Sequence, residues 1–505
     1  MAAFVVPGTA AADFAAGLAG RRVCVAGLGV SGPPAARVLA GLGAIVTAVD
    51  SSEEDRGGVV AGLTGIGVRV LLGAAAAAML PPGTDLVVTS PGWKPDAPLL
   101  ACAAASGVEV MGDVELAWRL RPSLPRGGRQ QWLAVTGTNG KTTTVRMLAL
   151  MLSAAGYRAM AAGNVGTSLA DVVTERDPYE VVAVELSSFQ LHWSSTIEPF
   201  AAVVLNVAPH HLDWHGTLEA YAADKAKIFA PGTIVIGNAD DPWSARMAAQ
   251  AGAAAMYRLG KPGPGELGVS RGYLVDRAFP ADQAGGARGW RAEAAPPDGV
   301  RLAVVADVCG ADPAARARPP GPHNIGNALA AAALARAYGA PAAAVSPGLL
   351  SFRPDPHRIA LIGTVRGVDY VDDSKATNPH AAAAALSTYN PVVWIAGGLL
   401  KGAADDLGQV IGAAAERLRG AVLFGADRDV IAAALARHAP DVPVIKVSGT
   451  DTGTMDLVVD TAAEMAEPGD TVLLAPAAQS FDMFRDYPAR GEAFAASVRR
   501  LATRR

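Results

Sequence analysis

Short apolar runs alternate with alanine-rich stretches along almost the whole chain. Such runs of Val, Ile, Leu and Ala are typical of strands that a parallel sheet buries on both faces. Because the stretches between them have the composition of helices, the pattern predicts an α/β fold with mostly parallel sheets. The predicted strands are Val23–Ala26, Ile45–Val49, Leu86–Thr89, Trp132–Val135, Val181–Val184, Val203–Leu205, Val392–Ile395, Ala421–Phe424 and Thr471–Leu474.

Two breaks in this pattern indicate domain boundaries. Ser123–Arg129 is rich in Pro, Gly and Arg and precedes a new strand, and Ser351–Pro356 is a proline-rich break before another α/β run. We therefore predict three domains, at residues 1–122, 123–354 and 355–505. From about residue 258 to 322 the pattern weakens and Gly and Pro increase, so we expect short antiparallel strands and loops there.

Composition narrows the classes of protein to consider. With 51% hydrophobic and 18% charged residues the chain can bury several cores, and a net charge of −4 predicts no nucleic-acid or anionic-membrane partner. The three cysteines, Cys24, Cys102 and Cys309, are far apart, which fits a reducing compartment. No uncharged apolar run reaches the ~18 residues of a membrane helix, and the first residues lack the basic start of a signal peptide. We expect a cytoplasmic protein.

Lysine is scarce in this chain. Only eight of the 43 basic residues are lysine, as expected from a coding bias that makes arginine the default cation. Lysine can lose its proton and react, whereas arginine cannot. Each lysine within a motif is therefore a candidate for chemistry.

A first glycine loop, Gly27–Gly32, follows the strand Val23–Ala26 and reads G-L-G-V-S-G. Asp50 ends the next strand, near the spacing of a ribose-binding acid. Glycines let the backbone approach a diphosphate, and the start of the following helix favours an anion. Taken alone, the loop predicts an NAD(P)-dependent oxidoreductase, another nucleotide-diphosphate site or a purely structural turn.

A second glycine loop, Thr136–Thr143, follows the strand Trp132–Val135 and reads T-G-T-N-G-K-T-T. The general P-loop pattern places glycine where this chain has Val135, so this is a distinct variant. Backbone N–H groups of such a loop cradle phosphates, Lys141 can contact the β- and γ-phosphates, and Thr142 can bind Mg²⁺. A dehydrogenase needs no such loop, which weakens the oxidoreductase alternative. An ATP-using enzyme and a non-catalytic nucleotide-binding regulator are the other candidates.

These motifs resemble those of the Mur ligases, the ATP-dependent enzymes that form amide bonds in peptidoglycan synthesis. The resemblance covers nearly the whole chain. Besides the T-G-T-N-G-K-T-T loop it includes E-L-S-S-F-Q from Glu185, N-V-A-P-H-H-L-D from Asn206, Y-A-A-D-K ending at Lys225, H-N-I-G-N from His323, and His357-Arg358. It implies an N-terminal Rossmann-like UDP-binding domain, a central P-loop-type ATPase domain with a mostly parallel sheet, and a C-terminal Rossmann-like domain that binds an amino acid.

The stretch D-D-S-K-A-T-N-P, residues 372–379, resembles the family member that adds D-glutamate, as do S-P-G at 90–92 and G-D-V-E-L at 112–116. Tyr487 stands where that member often has Phe, and Ala477 where Ser is common. The resemblance implies an acid–D-amino-acid ligase that joins D-glutamate to UDP-N-acetylmuramoyl-L-alanine. ATP would phosphorylate the substrate carboxylate to an acyl phosphate, which the amine then attacks. Small-molecule substrates are the only expected partners, and we expect a monomer.

The resemblance also assigns residue roles around ATP. It implies Mg²⁺ ligands at Thr142 and Glu185, and a second Mg²⁺ held by His211 and by Lys225 after carbamylation with CO₂. Lys141 and Asn164 complete the expected catalytic set. Each assignment has an alternative. Glu185 could be a surface acid at the end of a strand, and Lys225 could be a solvated lysine on a helix. The histidines at 210, 211 and 215 could form a zinc site. The expected ATP contacts are Gly137, Thr138, Asn139, Gly140, Lys141, Thr142, Thr143, Asn324, Asn327, Arg358 and Asp373.

Two further sets of residues are expected to bind the other substrates. A dianionic amino acid needs cations, and lysines on C-terminal loops supply them, although a loop lysine can also simply face solvent. The expected D-glutamate contacts are Lys375, Thr377, Lys401, Ser480 and Tyr487. The expected UDP-sugar contacts are Val30, Ser31, Asp50, Ser51 and Gly92.

Overall fold

A computed structural model describes residues 9–55, 58–164, 166–280, 299–311, 316, 319–353, 356–400, 407–449 and 451–504. Three sheets with helices packed against them make up the fold. The chain divides into two compact units, of which the first holds the first two sheets and the second holds the third. The predicted α/β class is confirmed.

The first sheet is parallel throughout. Its strands are β1 (Arg22–Ala26), β2 (Ile45–Asp50), β3 (Arg69–Leu72), β4 (Leu86–Thr89) and β5 (Glu109–Gly112), in the order β3-β2-β1-β4-β5. Because β1 pairs with β2 on one side and β4 on the other, the strand order reverses at β1, where ligands bind in open parallel sheets. The helices here are Thr9–Ala16, Gly32–Gly41, Val59–Thr64, Ala74–Ala77, Pro98–Ala105 and Asp113–Arg119.

The second sheet is mixed. Its strands are β6 (Gln131–Thr136), β7 (Ala159–Gly163), β8 (Val181–Glu185), β9 (Ala201–Val204), β10 (Ile234–Asn238), β11 (Ala255–Tyr257), β12 (Glu266–Ser270), β13 (Tyr273–Asp276) and β14 (Val300–Val304). The order is β14-β13-β12-β11-β10-β9-β6-β8-β7. Pairing is parallel from β7 to β12 and antiparallel from β12 to β14, so the antiparallel strands expected after residue 258 are present.

Helices of the central part connect these strands. The longer ones are Lys141–Ala154, Leu218–Ala226, Pro242–Gln250 and Pro322–Tyr338. The shorter ones, including two 3-10 turns, are Leu169–Val173, Ser188–His192, Leu212–His215, Val305–Cys309, Ala342–Ala344 and Val345–Leu350.

The third sheet is parallel except at one edge. Its strands are β15 (Ala360–Val365), β16 (Val368–Asp372), β17 (Val392–Gly397), β18 (Leu418–Phe424), β19 (Val444–Lys446) and β20 (Thr471–Leu474), in the order β15-β16-β20-β17-β18-β19. Only β15 and β16 pair antiparallel among these described strands. The helices are Pro379–Leu386, Leu407–Ala414, Ala415–Arg417 (3-10), Arg428–His438, Thr454–Met465 and Tyr487–Thr503.

All nine predicted strands occur; β4 and β20 have the predicted ends, and the ends of the others differ by a few residues. The core of each sheet is apolar: Trp132 lies fully buried in the second sheet and Trp394 in the third. Within the described ranges, no helix is long and apolar enough to cross a lipid bilayer.

Candidate active site

The second glycine loop joins the end of β6 to the helix Lys141–Ala154. Gly137 and Gly140 have φ values of +153° and +87°, which favour glycine. A Cβ atom at Gly140 would lie 2.3 Å from Oδ1 of Asn327, so the loop also packs too closely there for a side chain. The loop therefore presents backbone to a ligand ahead of a helix N-terminus, as a phosphate site requires.

Asn206 holds this loop in shape. Its Oδ1 accepts from the backbone N–H of Asn139 at 2.8 Å, and its Nδ2 donates to the carbonyl of Asn139 at 3.1 Å. The backbone N–H of Thr138 donates to the Asn206 carbonyl at 3.0 Å. Asn206 was absent from the predicted site, although it follows a buried strand just as the loop itself does.

Three predicted side chains meet at the start of the helix. Thr142 Oγ1 donates to Glu185 Oε2 at 2.9 Å, and Asn164 Nδ2 donates to Glu185 Oε1 at 3.1 Å. Glu185 ends β8 and is buried, with 2% of its surface exposed. It is therefore not a surface acid.

Lys141 folds back over the loop that precedes it. Its Nζ donates to the carbonyls of Gly137 at 2.9 Å and Thr138 at 3.0 Å. The ammonium thus lies directly beside the backbone that would cradle phosphate.

Lys225 reaches the same loop from the helix Leu218–Ala226. Its Nζ donates to the Gly137 carbonyl at 3.0 Å and lies 4.4 Å from the ring centre of Tyr221. Only 1% of the residue is exposed, so it is not a solvated helix lysine. Burial, together with the nearby charge of Lys141, holds the pKa of Lys225 well below its ordinary value.

His211 begins the short helix Leu212–His215 with a left-handed φ of +57°. Its ring lies 4.7 Å from that of Phe189, and the residue is exposed. In the chain as described, no group of three or more His, Cys, Asp or Glu side chains could hold a metal ion. The zinc alternative thus has no support there.

The oxygen donors at the loop fit Mg²⁺. Thr142 and Glu185 supply a hydroxyl and a carboxylate, which are the hard ligands that Mg²⁺ prefers. Thr143 Oγ1, one residue along, is buried and has no hydrogen-bond partner among the described residues. The residues present therefore suit a phosphate–magnesium ligand.

The carboxylate of Asp50 contacts the backbone of the first glycine loop. Oδ2 of Asp50 accepts from the backbone N–H of Leu28 at 2.5 Å, and Oδ1 accepts from Ser52 at 2.8 Å. Asp50 lines a pocket beside the loop, whereas Val30, Ser31, Ser51 and Gly92 are outside its lining. Ser51 and Gly92 are exposed, and Val30 is 90% exposed.

In the second unit, residues around Asp373 form a buried polar cluster. Asp372 Oδ2 lies 2.6 Å from His357 Nδ1, and Asp373 Oδ1 accepts from the backbone N–H of Ile359 at 3.3 Å. Burial raises the pKa of Asp373 to about 8, against the opposing charge of Arg358. The Arg358 Nε is buried, and no residue in the described part of the chain forms a hydrogen bond with it.

Asn324 and Asn327 fall on the helix Pro322–Tyr338. The Asn324 backbone N–H donates to the Gly321 carbonyl at 2.9 Å. Asn327 Oδ1 accepts from Thr144 Oγ1 at 3.3 Å, beside the phosphate loop.

The predicted amino-acid contacts are partly assembled. Lys375 Nζ lies 5.6 Å from the ring centre of Tyr487, Ser480 is buried, and the Thr377 backbone N–H donates to the Lys375 carbonyl. Lys401 lies outside the described residues.

Arg490 organises the loops that carry these residues, and the sequence analysis missed it. It is fully buried and donates to Ser374 Oγ at 3.0 Å, to the Ser374 carbonyl at 2.8 Å and to the Ala478 carbonyl at 3.0 Å. Among many arginines, this one carries no distinguishing sequence signal.

Three family models match this chain. They are the Mur ligase MurD-like N-terminal domain over residues 21–112, the Mur ligase middle domain over 135–263, and the Mur ligase glutamate ligase domain over 357–478. A relative from Streptomyces avermitilis is 54% identical over 95% of this chain and 98% of its own length. A relative from Thermobifida fusca is 56% identical over 96% and 99%. The chain belongs to the Mur ligase family.

Both relatives are named UDP-N-acetylmuramoylalanine–D-glutamate ligase, and within the family this chain groups with them. Two solved structures from Thermotoga maritima share the fold. UDP-N-acetylmuramate-alanine ligase MurC has a TM-score of 0.54 at 19% identity, covering 95% of this chain and 99% of that chain. MurF ligase in complex with ADP has a TM-score of 0.54 at 16% identity, covering 91% and 96%. This membership decides against the oxidoreductase alternative.

Proposed function

We propose that this chain joins D-glutamate to UDP-N-acetylmuramoyl-L-alanine with ATP, as a step of peptidoglycan precursor synthesis. One observation carries the proposal: Lys141, Glu185 and Lys225 converge on a single phosphate loop in a chain 54–56% identical to ligases of that name. These three side chains at a phosphate loop suit an enzyme that transfers a phosphoryl group, whereas hydride transfer does not require them.

The first step activates a carboxylate, because a carboxylate is itself a poor electrophile. A carboxylate oxygen of the substrate attacks the γ-phosphorus of ATP, the bond to the β,γ-bridging oxygen breaks, and an acyl phosphate and ADP result. Lys141 and the loop N–H groups offset the negative charge on the phosphates. Mg²⁺, held through Thr142 and Glu185, would add positive charge at the phosphate oxygens when bound.

The second step forms the amide. The D-glutamate amine attacks the acyl carbon, the C–N bond forms, the C–O bond to phosphate breaks, and a proton leaves the nitrogen. We assign D-glutamate binding to Lys375, Thr377, Lys401, Ser480 and Tyr487. The position of the Lys375 ammonium, 5.6 Å from the ring centre of Tyr487, supports this assignment, since a cation there suits a dianionic amino acid.

We assign Lys225 to carbamylation by CO₂. The neutral amine attacks the carbon of CO₂, an N–C bond forms as one C=O π bond opens onto oxygen, and the nitrogen loses a proton. The resulting carbamate anion would be able to hold a second Mg²⁺ together with His211. Burial and the neighbouring Lys141 support this assignment because both favour the neutral amine that must react.

The remaining roles follow the motifs. Asn164 would steady the substrate near Glu185, and the UDP group would lie by the first glycine loop at Asp50. We assign ATP contacts to Asn324, Asn327, Arg358 and Asp373, in addition to the loop residues 137–143. UDP-sugar contacts are assigned to Val30, Ser31, Asp50, Ser51 and Gly92.

We also propose the domain limits 1–122, 123–354 and 355–505, a monomer, and a cytoplasmic location where ATP and nucleotide-linked sugars are available. Light scattering of the purified chain tests the monomer, since a mass near twice 51.3 kDa would contradict it.

A phosphate-release assay tests the function. Enzyme, ATP, Mg²⁺ and UDP-N-acetylmuramoyl-L-alanine are combined with each member of a panel of D- and L-amino acids. Release that depends on D-glutamate is the expected result. Equal release with every amino acid, or none with any, would overturn the proposal.

A further inference from the structure

The carboxylate of Asp224 contacts two histidines from other segments of the chain and one lysine at the end of its own helix. Oδ2 lies 2.9 Å from His192 Nδ1 and 3.1 Å from His215 Nδ1, while Oδ1 lies 2.8 Å from Lys227 Nζ. On its other side, His215 Nε2 lies 3.0 Å from Ser188 Oγ. The sequence analysis assigned no role to Asp224.

The order Ser188–His215–Asp224 resembles the arrangement of a nucleophilic triad, but burial excludes that use. Ser188 is 3% exposed and the His215 side chain 1%, so neither reaches a substrate. The Phe189 ring stacks on His215 at 5.3 Å and 10°. The hydrogen bonds among Ser188, His215 and Asp224 therefore hold parts of this chain together.

Each segment tied to Asp224 carries a candidate catalytic residue. His192 ends the helix that follows Glu185, and His215 ends the helix that His211 begins. Asp224 itself precedes Lys225 on the helix Leu218–Ala226. One carboxylate thus joins the three segments that bear these residues.

Side chains at neighbouring positions on a helix point about 100° apart, so Asp224 and Lys225 contact different parts of the structure. Asp224 faces His192 and His215, whereas Lys225 faces the phosphate loop, where its Nζ bonds the Gly137 carbonyl. Fixing Asp224 fixes the rotation of the helix and, with it, the reach of the Lys225 side chain.

We propose that Asp224 is a positioning residue that holds Lys225 at the phosphate loop by anchoring its helix to His192 and His215. The proposal rests on the proposed function only in taking Lys225 to act in catalysis. Without the carboxylate, the helix would lose its contacts to His192 and His215. The Lys225 side chain would then no longer be held at the phosphate loop.

A double-mutant cycle on the full-length chain tests this. Asp224→Asn keeps the shape but removes the charge, and we expect kcat to fall about 10- to 100-fold with smaller changes in KM for ATP and for the UDP-linked substrate. In a Lys225→Ala background, the same change should lower the residual kcat less than about 2-fold, because its effect passes through Lys225.

Asp171→Asn provides the matched control. It breaks an exposed ion pair with Arg37, at 3.3 Å, and should leave kcat unchanged. If Asp224→Asn does not fold, as judged by thermal melting, His215→Asn removes one anchor alone and enters the same cycle. Equal losses of kcat in both backgrounds would show a merely structural role and overturn the proposal.

Incubation with ¹³C-bicarbonate followed by ¹³C NMR separates the two proposals. A carbamate signal in the wild type that weakens in Asp224→Asn supports both. A signal of equal strength in both proteins counts against positioning. If the wild type gives no signal, carbamylation of Lys225 fails, while the double-mutant cycle still decides the role of Asp224.

Discussion

Lys225 combines burial with a second ammonium group nearby, and both disfavour its charged form. An ordinary lysine avoids such a place, because burying an unpaired charge is costly. The site accepts the residue if the amine is neutral or is converted to an anion. A chemical role for Lys225 therefore explains what packing alone does not.

Removing the Lys225 amine should cause a large loss of activity that added carboxylic acids partly reverse. We expect Lys225→Ala to lower kcat at least about 100-fold, since it deletes a group at the phosphate loop. Short carboxylic acids such as formate or acetate should restore part of the activity by replacing the carbamate. Steady-state phosphate release with and without added acid measures this. Full activity in the unsupplemented variant would contradict the carbamate role, and Lys141→Ala, which no acid should rescue, is the control.

Asn206 should act on ATP affinity, because its two side-chain bonds to Asn139 shape the loop rather than touch a reacting atom. We expect Asn206→Ala to raise KM for ATP about 10-fold, which corresponds to about 1.4 kcal/mol. Initial rates across ATP concentrations test this, and an unchanged KM would show that the loop holds its shape without Asn206.

At the scale of elements, the sequence predicted most of the strands that are buried on both faces, although it missed β10 and β16, which lie inside their sheets. Strands such as β4 and β20 are continuous apolar runs and were found with the right ends. Edge strands such as β3 and β19 have exposed positions that blur the pattern, so they were missed. Where a motif names the residue, as at Glu185, the sequence pointed to a side chain that lies buried beside Thr142. The supports, Asn206 and Arg490, are ordinary residue types whose role depends on contacts between segments far apart in sequence.

Glu115 shows how one element is tied to another. It is fully buried on the helix Asp113–Arg119 and accepts from the backbone N–H groups of Ser195 at 2.9 Å and Thr196 at 3.0 Å. Burial alone raises the pKa of Glu115, but bonds from Thr196, Ser195 and Arg119 outweigh it, and the pKa lies below its ordinary value.

A carboxyl group whose pKa is lower in the folded state stabilises the fold above its unfolded pKa, and this contribution is lost as the pH falls through the folded pKa. Glu115→Gln should therefore lower the free energy of unfolding by about 1–3 kcal/mol at pH 7. The difference in the free energy of unfolding between this variant and wild type should become smaller below about pH 4. Thermal melts across pH measure it. Glu109→Gln, at a half-exposed partner of Arg119, should have little effect, and a gap independent of pH would contradict the assignment.

Across the whole molecule, each sheet places a glycine just beyond or at the carboxyl end of a central parallel strand. Gly27 follows β1, Gly137 follows β6, and Gly397 ends β17, with φ values of +99°, +153° and +141°. A Cβ atom at Gly397 would lie 1.8 Å from the Phe424 carbonyl oxygen. Each sheet thus has, at the carboxyl ends of its parallel strands, the kind of edge at which ligands bind in open parallel sheets.

The arginine bias of the chain provides a final prediction at this scale. Where most cations are arginine, a lysine kept for charge alone should tolerate replacement by arginine, and one kept for its amine should not. We expect Lys141→Arg, Lys225→Arg and Lys375→Arg each to lower kcat/KM at least about 10-fold, since a planar guanidinium fits neither a packed loop nor carbamylation. A combined variant that changes Lys94, Lys261 and Lys446 to Arg should stay within about 2-fold of wild type, because exposed pairs such as Lys446–Asp429 contribute little. Equal losses in both sets would show that the scarce lysines mark no chemistry at all.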